Sequence, residues 1–131
     1  MSYHAPYILV VDDEVLIRKA LKLHLEAAGY RVSLASNGLE AVACLEQVKP
    51  DIIILDIFMP DMDGFETLRR INHPARRARV LAISGGGSSH DCNFLDMASK
   101  LGADRMLNKP FTTSELIAAI EALLPPATSA P

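Results

Sequence analysis

The sequence predicts a doubly wound α/β sandwich, a five-stranded parallel sheet covered by helices on both faces, and three observations lead there. The runs Tyr7-Ile8-Leu9-Val10-Val11, Ile52-Ile53-Ile54-Leu55 and Val80-Leu81-Ala82-Ile83 are apolar without polar alternation, as strands buried on both faces are. Segments with apolar residues three and four apart separate them, so strands alternate with helices and need right-handed crossovers. Each run also ends on a polar group: Asp12-Asp13-Glu14, Asp56 and Ser84. Open α/β sheets bind their ligands at the carboxyl ends of strands.

Composition sets the bounds. The chain has 131 residues, enough for one domain with a proper core, and a single domain over residues 1–124 with a loose Pro- and Ala-rich tail over 125–131 is expected. Thirteen basic residues against 16 acidic ones give a net charge of −3, which argues against a nucleic-acid surface. Cys44 and Cys92 form no CxxC pair and read as reduced, packed thiols. Met1 to Tyr7 has no basic segment followed by an apolar core, and no run approaches a membrane span, so a cytoplasmic protein is expected.

The elements follow in order. After the first strand, Ile17, Leu21, Leu25 and Ala28 share one helical face, Arg18, Lys22 and Glu26 the other, and Gly29 supplies the stop. Arg31 to Ala35 alternates like an edge strand, and Ser36-Asn37-Gly38 offers a turn and an N-cap to a helix with Ala41, Leu45 and Val48 inside. The third strand ends at Asp56, with Pro60 and the acids before Gly64 marking a loop. Phe65, Leu68 and Ile71 mark a short helix, and residues 73–79 read as a basic, solvated connector. Ser84 opens a glycine-rich loop, a fourth helix carries Phe94, Leu95, Ala98 and Leu101, and Gly102 stops it. Arg105 to Asn108 forms the last strand. Thr112 and Glu115 form a capping box for a last helix on Leu116, Ile117, Ile120, Leu123 and Leu124.

Each polar residue at a strand end has a plain reading as a turn or cap residue. Together, however, this architecture lets Asp12, Asp13, Asp56, Ser84 and Lys109 converge. Three carboxylates about 5 Å apart repel by about 3 kcal/mol per ionised pair at an effective dielectric near 20, so a cation must offset them. Oxygen ligands in a hydrated cleft suit Mg²⁺, which commonly bridges carboxylates to phosphate. Lys109 and the Ser84 hydroxyl could each hold a phosphate oxygen, which leaves Asp56 as a nucleophile for in-line phosphoryl transfer.

The motifs Val10-Val11-Asp12-Asp13-Glu14, Leu55-Asp56-Ile57-Phe58-Met59-Pro60 with Gly64, Ser84, and Leu101-Gly102-Ala103-Asp104 running into Lys109-Pro110-Phe111 make the chain similar to two-component response-regulator receiver domains over nearly its whole length. The resemblance implies a flavodoxin-like sheet of order 2-1-3-4-5 with five helices. It implies that Asp56 accepts phosphate from a histidine kinase or phosphotransfer protein. It also implies Mg²⁺ held by Asp13, Asp56 and the backbone carbonyl of Phe58, with Asp12 acting through water, and a cis Lys109–Pro110 bond. Ser84, Gly85, Met106 and Pro110 are the positions through which the signal would pass.

Two departures stand out. Met106 occupies the position, three before the lysine, where the family often has Tyr or Phe, and glycines follow Ser84 where the family often has Ala and a longer polar side chain. Because the sequence stops soon after the fifth helix, it resembles stand-alone receivers that signal by binding a protein partner, as a monomer or weak dimer. Two alternatives remain: a haloacid-dehalogenase-type phosphatase, which wants a second Asp where this chain has Phe58, and a pseudo-receiver that binds proteins without phosphorylation.

Overall fold

A computed structural model describes residues 5–57, 64–71, 78–84, 100 and 102–124. Its elements are β1 (Tyr7–Val11), α1 (Val15–Ala27), β2 (Arg31–Ala35), α2 (Gly38–Leu45), β3 (Ile52–Asp56), α3 (Gly64–Ile71), β4 (Arg79–Ser84), β5 (Arg105–Asn108) and α4 (Thr113–Leu123). The helix expected around Phe94 to Ala98 and the tail expected over 125–131 lie outside the described residues, so the label α4 here denotes Thr113–Leu123, the last helix among the described residues. All strand pairings are parallel, in the order β2-β1-β3-β4-β5, as the resemblance implied.

The alternation of side chains along each strand builds two cores. Ile8, Val10, Ile52, Ile54, Leu81 and Ile83 point to one face, where Leu21 and Leu25 of α1 and Leu116 and Ile120 of α4 cover them. Leu9, Val11, Ile53, Leu55, Val80 and Ala82 point to the other, against Ala41 of α2 and Leu68 and Ile71 of α3. Because both faces are covered, all five residues of β3 are buried, which is why that strand reads as an unbroken apolar run.

The helix ends follow local chemistry. Gly29 takes a φ of 98°, Gly29 N–H donates to the Glu26 carbonyl and Tyr30 N–H to that of Leu25, the paired bonds of a Schellman stop. Asn37 caps α2 by accepting from Glu40 N–H at 2.8 Å. The Glu40 carboxylate returns the favour by accepting from Ser36 N–H and Oγ, which holds it below the usual carboxylate range. The capping box of α4 is present in both directions between Thr112 and Glu115. Two expectations for α1 change. Ala28 is exposed, since it lies past the last turn as the C-cap, and Arg18 is half-buried, because it turns back to the end of β1.

The amino ends of the strands are tied by two loop carboxylates. Asp51 accepts from Tyr7 N–H at 2.8 Å, and Asp104 accepts from Val80 N–H at 2.8 Å while its own N–H donates to the Val80 carbonyl. At the opposite end, Gly64 opens α3 against the backbone of Ile57. A Cβ there would come within 3.0 Å of the Ile57 Cα, C and O atoms, so the close approach requires glycine. Gly64→Ala is therefore expected to cost about 1–3 kcal/mol of stability through forced backbone displacement, measured by urea unfolding. A change within a few tenths of a kcal/mol would show that the two segments separate freely.

Candidate functional site

Strand register decides which side chains meet. Val11 pairs with Leu55, so the residues after them, Asp12 and Asp56, emerge side by side. They continue the alternation of Val10 and Ile54 and so project on the α1 and α4 side. Asp56 pairs with Ile83, and Ser84 with Asn108, which sets Lys109 one residue beyond the sheet on that same side. Three backbone bonds extend the ladder past the strands and fix these positions: Asp12 N–H to the Ala35 carbonyl at 3.2 Å, Ile57 N–H to that of Ile83 at 3.0 Å, and Lys109 N–H to that of Ser84 at 2.9 Å.

The expected convergence is present for Asp12, Asp13, Asp56 and Lys109. One carboxylate oxygen from each of Asp12, Asp13 and Asp56 lies within 4.8 Å of the others. Asp12 and Asp56 are buried, at 1% and 4% exposure, and Asp13 is the most open of the three. Lys109 Nζ stands 3.5 Å from Asp12 Oδ2 and 3.5 Å from Asp56 Oδ2, bridging the two buried acids. Among the described residues the ammonium of Lys109 meets three carboxylates, which outnumber it.

The plain reading of the first acids as helix caps does not hold. Glu14 is the N-cap of α1 and makes no side-chain cap bond. Asp12 Oδ1 accepts from Glu14 N–H at 2.9 Å, which closes a short turn, while its buried Oδ2 has no hydrogen bond among the described residues and lies 3.5 Å from Lys109 Nζ. The Ser84 hydroxyl, 1% exposed, also has no hydrogen-bond partner among the described residues. A buried hydroxyl and a buried carboxylate oxygen each lacking a bond carry a desolvation cost that a bound polar group would relieve. The donor set is oxygen only, which suits a hard divalent cation such as Mg²⁺.

The Lys109–Pro110 bond is cis, as the resemblance implied. Met106 is half-buried and packs with the core on the α2 and α3 side, opposite Ala82 in register. The Phe58 carbonyl and Gly85 lie outside the described residues. Sequence reasoning assigned Arg18 to solvent and missed its role at the site's edge, where its guanidinium donates to the Asp12 carbonyl at 2.8 Å. Its position one turn into a helix that starts just after the acids was the available signal.

Comparison with known proteins places this geometry in a family. The family model described as the response regulator receiver domain matches residues 8–121. The transcriptional regulatory protein TrcR of Mycobacterium tuberculosis is 37% identical over 117 residues, covering 89% of this chain and 44% of that protein. The DNA-binding dual master transcriptional regulator RpaA of Synechocystis is 36% identical, covering 91% of this chain and 49% of that protein. The chain thus spans about half the length of the curated relatives it matches. Among solved structures, the chemotaxis protein CheY4 of Vibrio cholerae matches with a TM-score of 0.84 at 29% identity, over 92% of this chain and 100% of that one. The response regulator TrrA of Thermotoga maritima, in complex with Mg(2+)-BeF, matches with a TM-score of 0.78 at 35% identity, over 91% of this chain and 99% of that one. These matches do not favour the phosphatase or pseudo-receiver alternatives; with the sheet order and the acid cluster already in place, the chain belongs to the response-regulator receiver domains of two-component signalling.

Proposed function

We propose that this receiver, taken as the unit over residues 1–124, accepts a phosphoryl group on Asp56 from a histidine kinase or histidine phosphotransfer protein and passes the signal to a downstream protein. The observation that carries this reading is Asp56 itself, a buried carboxylate ending the central strand, with Lys109 Nζ at 3.5 Å and two further carboxylates beside it. In the transfer, an Asp56 oxygen forms a bond to phosphorus as the phosphorus–nitrogen bond of the donor phosphohistidine breaks. The electron pair leaves with the imidazole and an acyl phosphate remains on Asp56.

The chain's own residues position and neutralise. Lys109 moves its ammonium from the ground-state carboxylates to a phosphate oxygen by a small displacement, since it already bridges Asp12 and Asp56. The Ser84 hydroxyl, buried and without a hydrogen bond among the described residues, donates to a second oxygen. Asp13 and Asp56 would hold Mg²⁺ together with the Phe58 carbonyl, with Asp12 acting through water, and the cation would neutralise the charge of the carboxylates and of the incoming phosphoryl group. The solved structure of TrrA in complex with Mg(2+)-BeF supports that choice of cation. Asp56 is a stoichiometric acceptor, and the chemistry assisted is the chain's own phosphorylation and dephosphorylation.

Ser84 and Gly85 pass the change outward, with Met106 following as soft filler in the core and Pro110 shaping the loop beyond Lys109. The net charge of −3 argues against a nucleic-acid surface, so the proposed output is protein contact, from a monomer or weak dimer in the cytoplasm. Among the described residues no helix is long and apolar enough to cross a membrane.

Labelling tests the acceptor. Wild type is expected to take up acid-labile phosphate only with Mg²⁺ present, and Asp56→Asn to take up none; acid-stable label, or an undiminished rate in the variant, would remove Asp56 from the role. Metal binding gives an independent check. Asp13→Ala is expected to weaken Mg²⁺ about tenfold or more, corresponding to about 1.4 kcal/mol or more of binding free energy, in a calorimetric titration. Unchanged affinity would place the cation elsewhere.

A further inference from the structure

Asp13 is the most open of the three acids and lies past the end of β1, where the sheet no longer holds the chain. The last ladder bond toward β2 is Asp12 N–H to the Ala35 carbonyl at 3.2 Å. In a parallel pair the Asp12 carbonyl would next accept from the N–H two residues past Ala35, that of Asn37. Asn37 is already the N-cap of α2, and the Asp12 carbonyl is taken by the Arg18 guanidinium at 2.8 Å. A side chain thus continues the ladder by one bond, at the peptide that leads into Asp13.

Arg18 grips Asp13 from both sides. Its guanidinium holds the carbonyl before Asp13, and its backbone N–H donates at 3.0 Å to the Glu14 carbonyl after it, in the first turn of α1. Glu14 N–H is in turn bound to Asp12 Oδ1 at 2.9 Å. Because the peptide unit is planar, fixing the Asp12 carbonyl also fixes the Asp13 N–H and the direction in which the chain enters the Asp13 Cα. Arg18 is half-buried, so water competes only in part for the bond. Of these bonds, the guanidinium's is the one that can be removed without altering a site carboxylate or the backbone.

We propose that Arg18 is a positioning residue for the cation site, setting the Asp13 carboxylate in place for Mg²⁺ by fixing the backbone that precedes it. The charge of Arg18 makes this a claim about sign. A positive charge near a cation site repels the cation, so removing an Arg18 that acted only through its charge would tighten Mg²⁺ binding. Removing a positioning Arg18 loosens it, as loss of the groups that orient metal ligands does. The bonding favours the second effect, since the guanidinium is spent on a carbonyl and not on a carboxylate of the site. The Glu40 carboxyl, held below its usual range by hydrogen bonds from Ser36 and also by the Arg18 charge, offsets part of the repulsion.

This inference rests on the reading of Asp13 as a ligand of Mg²⁺, and the test separates the two. Calorimetric titration of the full chain with Mg²⁺ compares wild type with Asp13→Ala, Arg18→Met, Arg18→Gln and Arg18→Lys. Arg18→Met keeps an apolar stem and Arg18→Gln a polar one too short for the carbonyl, and each is expected to weaken Mg²⁺ about tenfold; either one suffices if the other does not fold. Arg18→Lys keeps a donor at nearly the same reach and is expected within about threefold of wild type. With acetyl phosphate as donor, the Mg²⁺ concentration for half-maximal labelling should rise by the same factor in each variant, while the rate at saturating Mg²⁺ stays within about twofold of wild type, a split that general loss of stability does not produce. If Asp13→Ala weakens Mg²⁺ while Arg18→Met and Arg18→Gln leave it unchanged or tighter, the proposal is overturned and the cation site stands. An Arg18→Lys no tighter than Arg18→Gln also overturns it. If Asp13→Ala binds as wild type does, the reading of the site fails, and this inference with it.

Discussion

Charge crowding at the carboxyl ends of β1 and β3 is the constraint that the rest of the structure serves. Asp12 and Asp56 are buried side by side with Asp13 close by, and one ammonium, that of Lys109, bridges the two buried acids at 3.5 Å from each. Repulsion of about 3 kcal/mol per ionised pair is a large fraction of the 5–15 kcal/mol by which a domain of this size is usually stable. A fold that holds such a cluster must keep its backbone from relaxing. The ladder bonds of Asp12 to Ala35, Ile57 to Ile83 and Lys109 to Ser84 do this at the points where the strands give way to loops. The two covered faces of the sheet supply the burial that offsets the cost.

The same constraint separates residues that read alike in the sequence. Asp51 and Asp104 are also loop acids near strand ends, but they lie at the amino ends and accept from strand N–H groups, so they stabilise the sheet's start. Asp12 and Asp56 lie at the carboxyl ends on the face shared by α1 and α4, where a cation can reach them. Position relative to strand direction, rather than residue type, divides the carboxylates that tie the sheet from those gathered at the candidate site.

Much of this could be read before the fold was known, for identifiable reasons. The unbroken runs at Ile8 to Val11, Ile52 to Leu55 and Val80 to Ile83 marked strands buried on both faces, and all are core. Thr112 with Glu115, and Gly29, announced helix ends by chemistry that is local and therefore visible in a short stretch. The convergence of Asp12, Asp56 and Lys109 followed from topology, since each ends a strand. What the sequence withheld depends on tertiary approach. Arg18 looked like a solvent-facing charge, yet it turns back on the Asp12 carbonyl. The need for glycine at position 64 comes from the backbone of Ile57, which no local pattern reveals. The fully buried Thr67 in α3 had no signal in the periodicity either, because one hydroxyl on an apolar face changes little in the pattern.

The most direct test of the central claim is chemical unfolding of wild type and Asp12→Asn with and without Mg²⁺. If carboxylate repulsion is the constraint, neutralising Asp12 keeps or raises stability in the absence of the cation. Wild type then gains about 2.7 kcal/mol at a hundredfold excess of Mg²⁺ over its dissociation constant, while the variant gains less at the same concentration. A variant less stable than wild type without Mg²⁺, and equally stabilised by it, would show that the acids are held by favourable interactions of their own and that their crowding neither strains the fold nor recruits the cation.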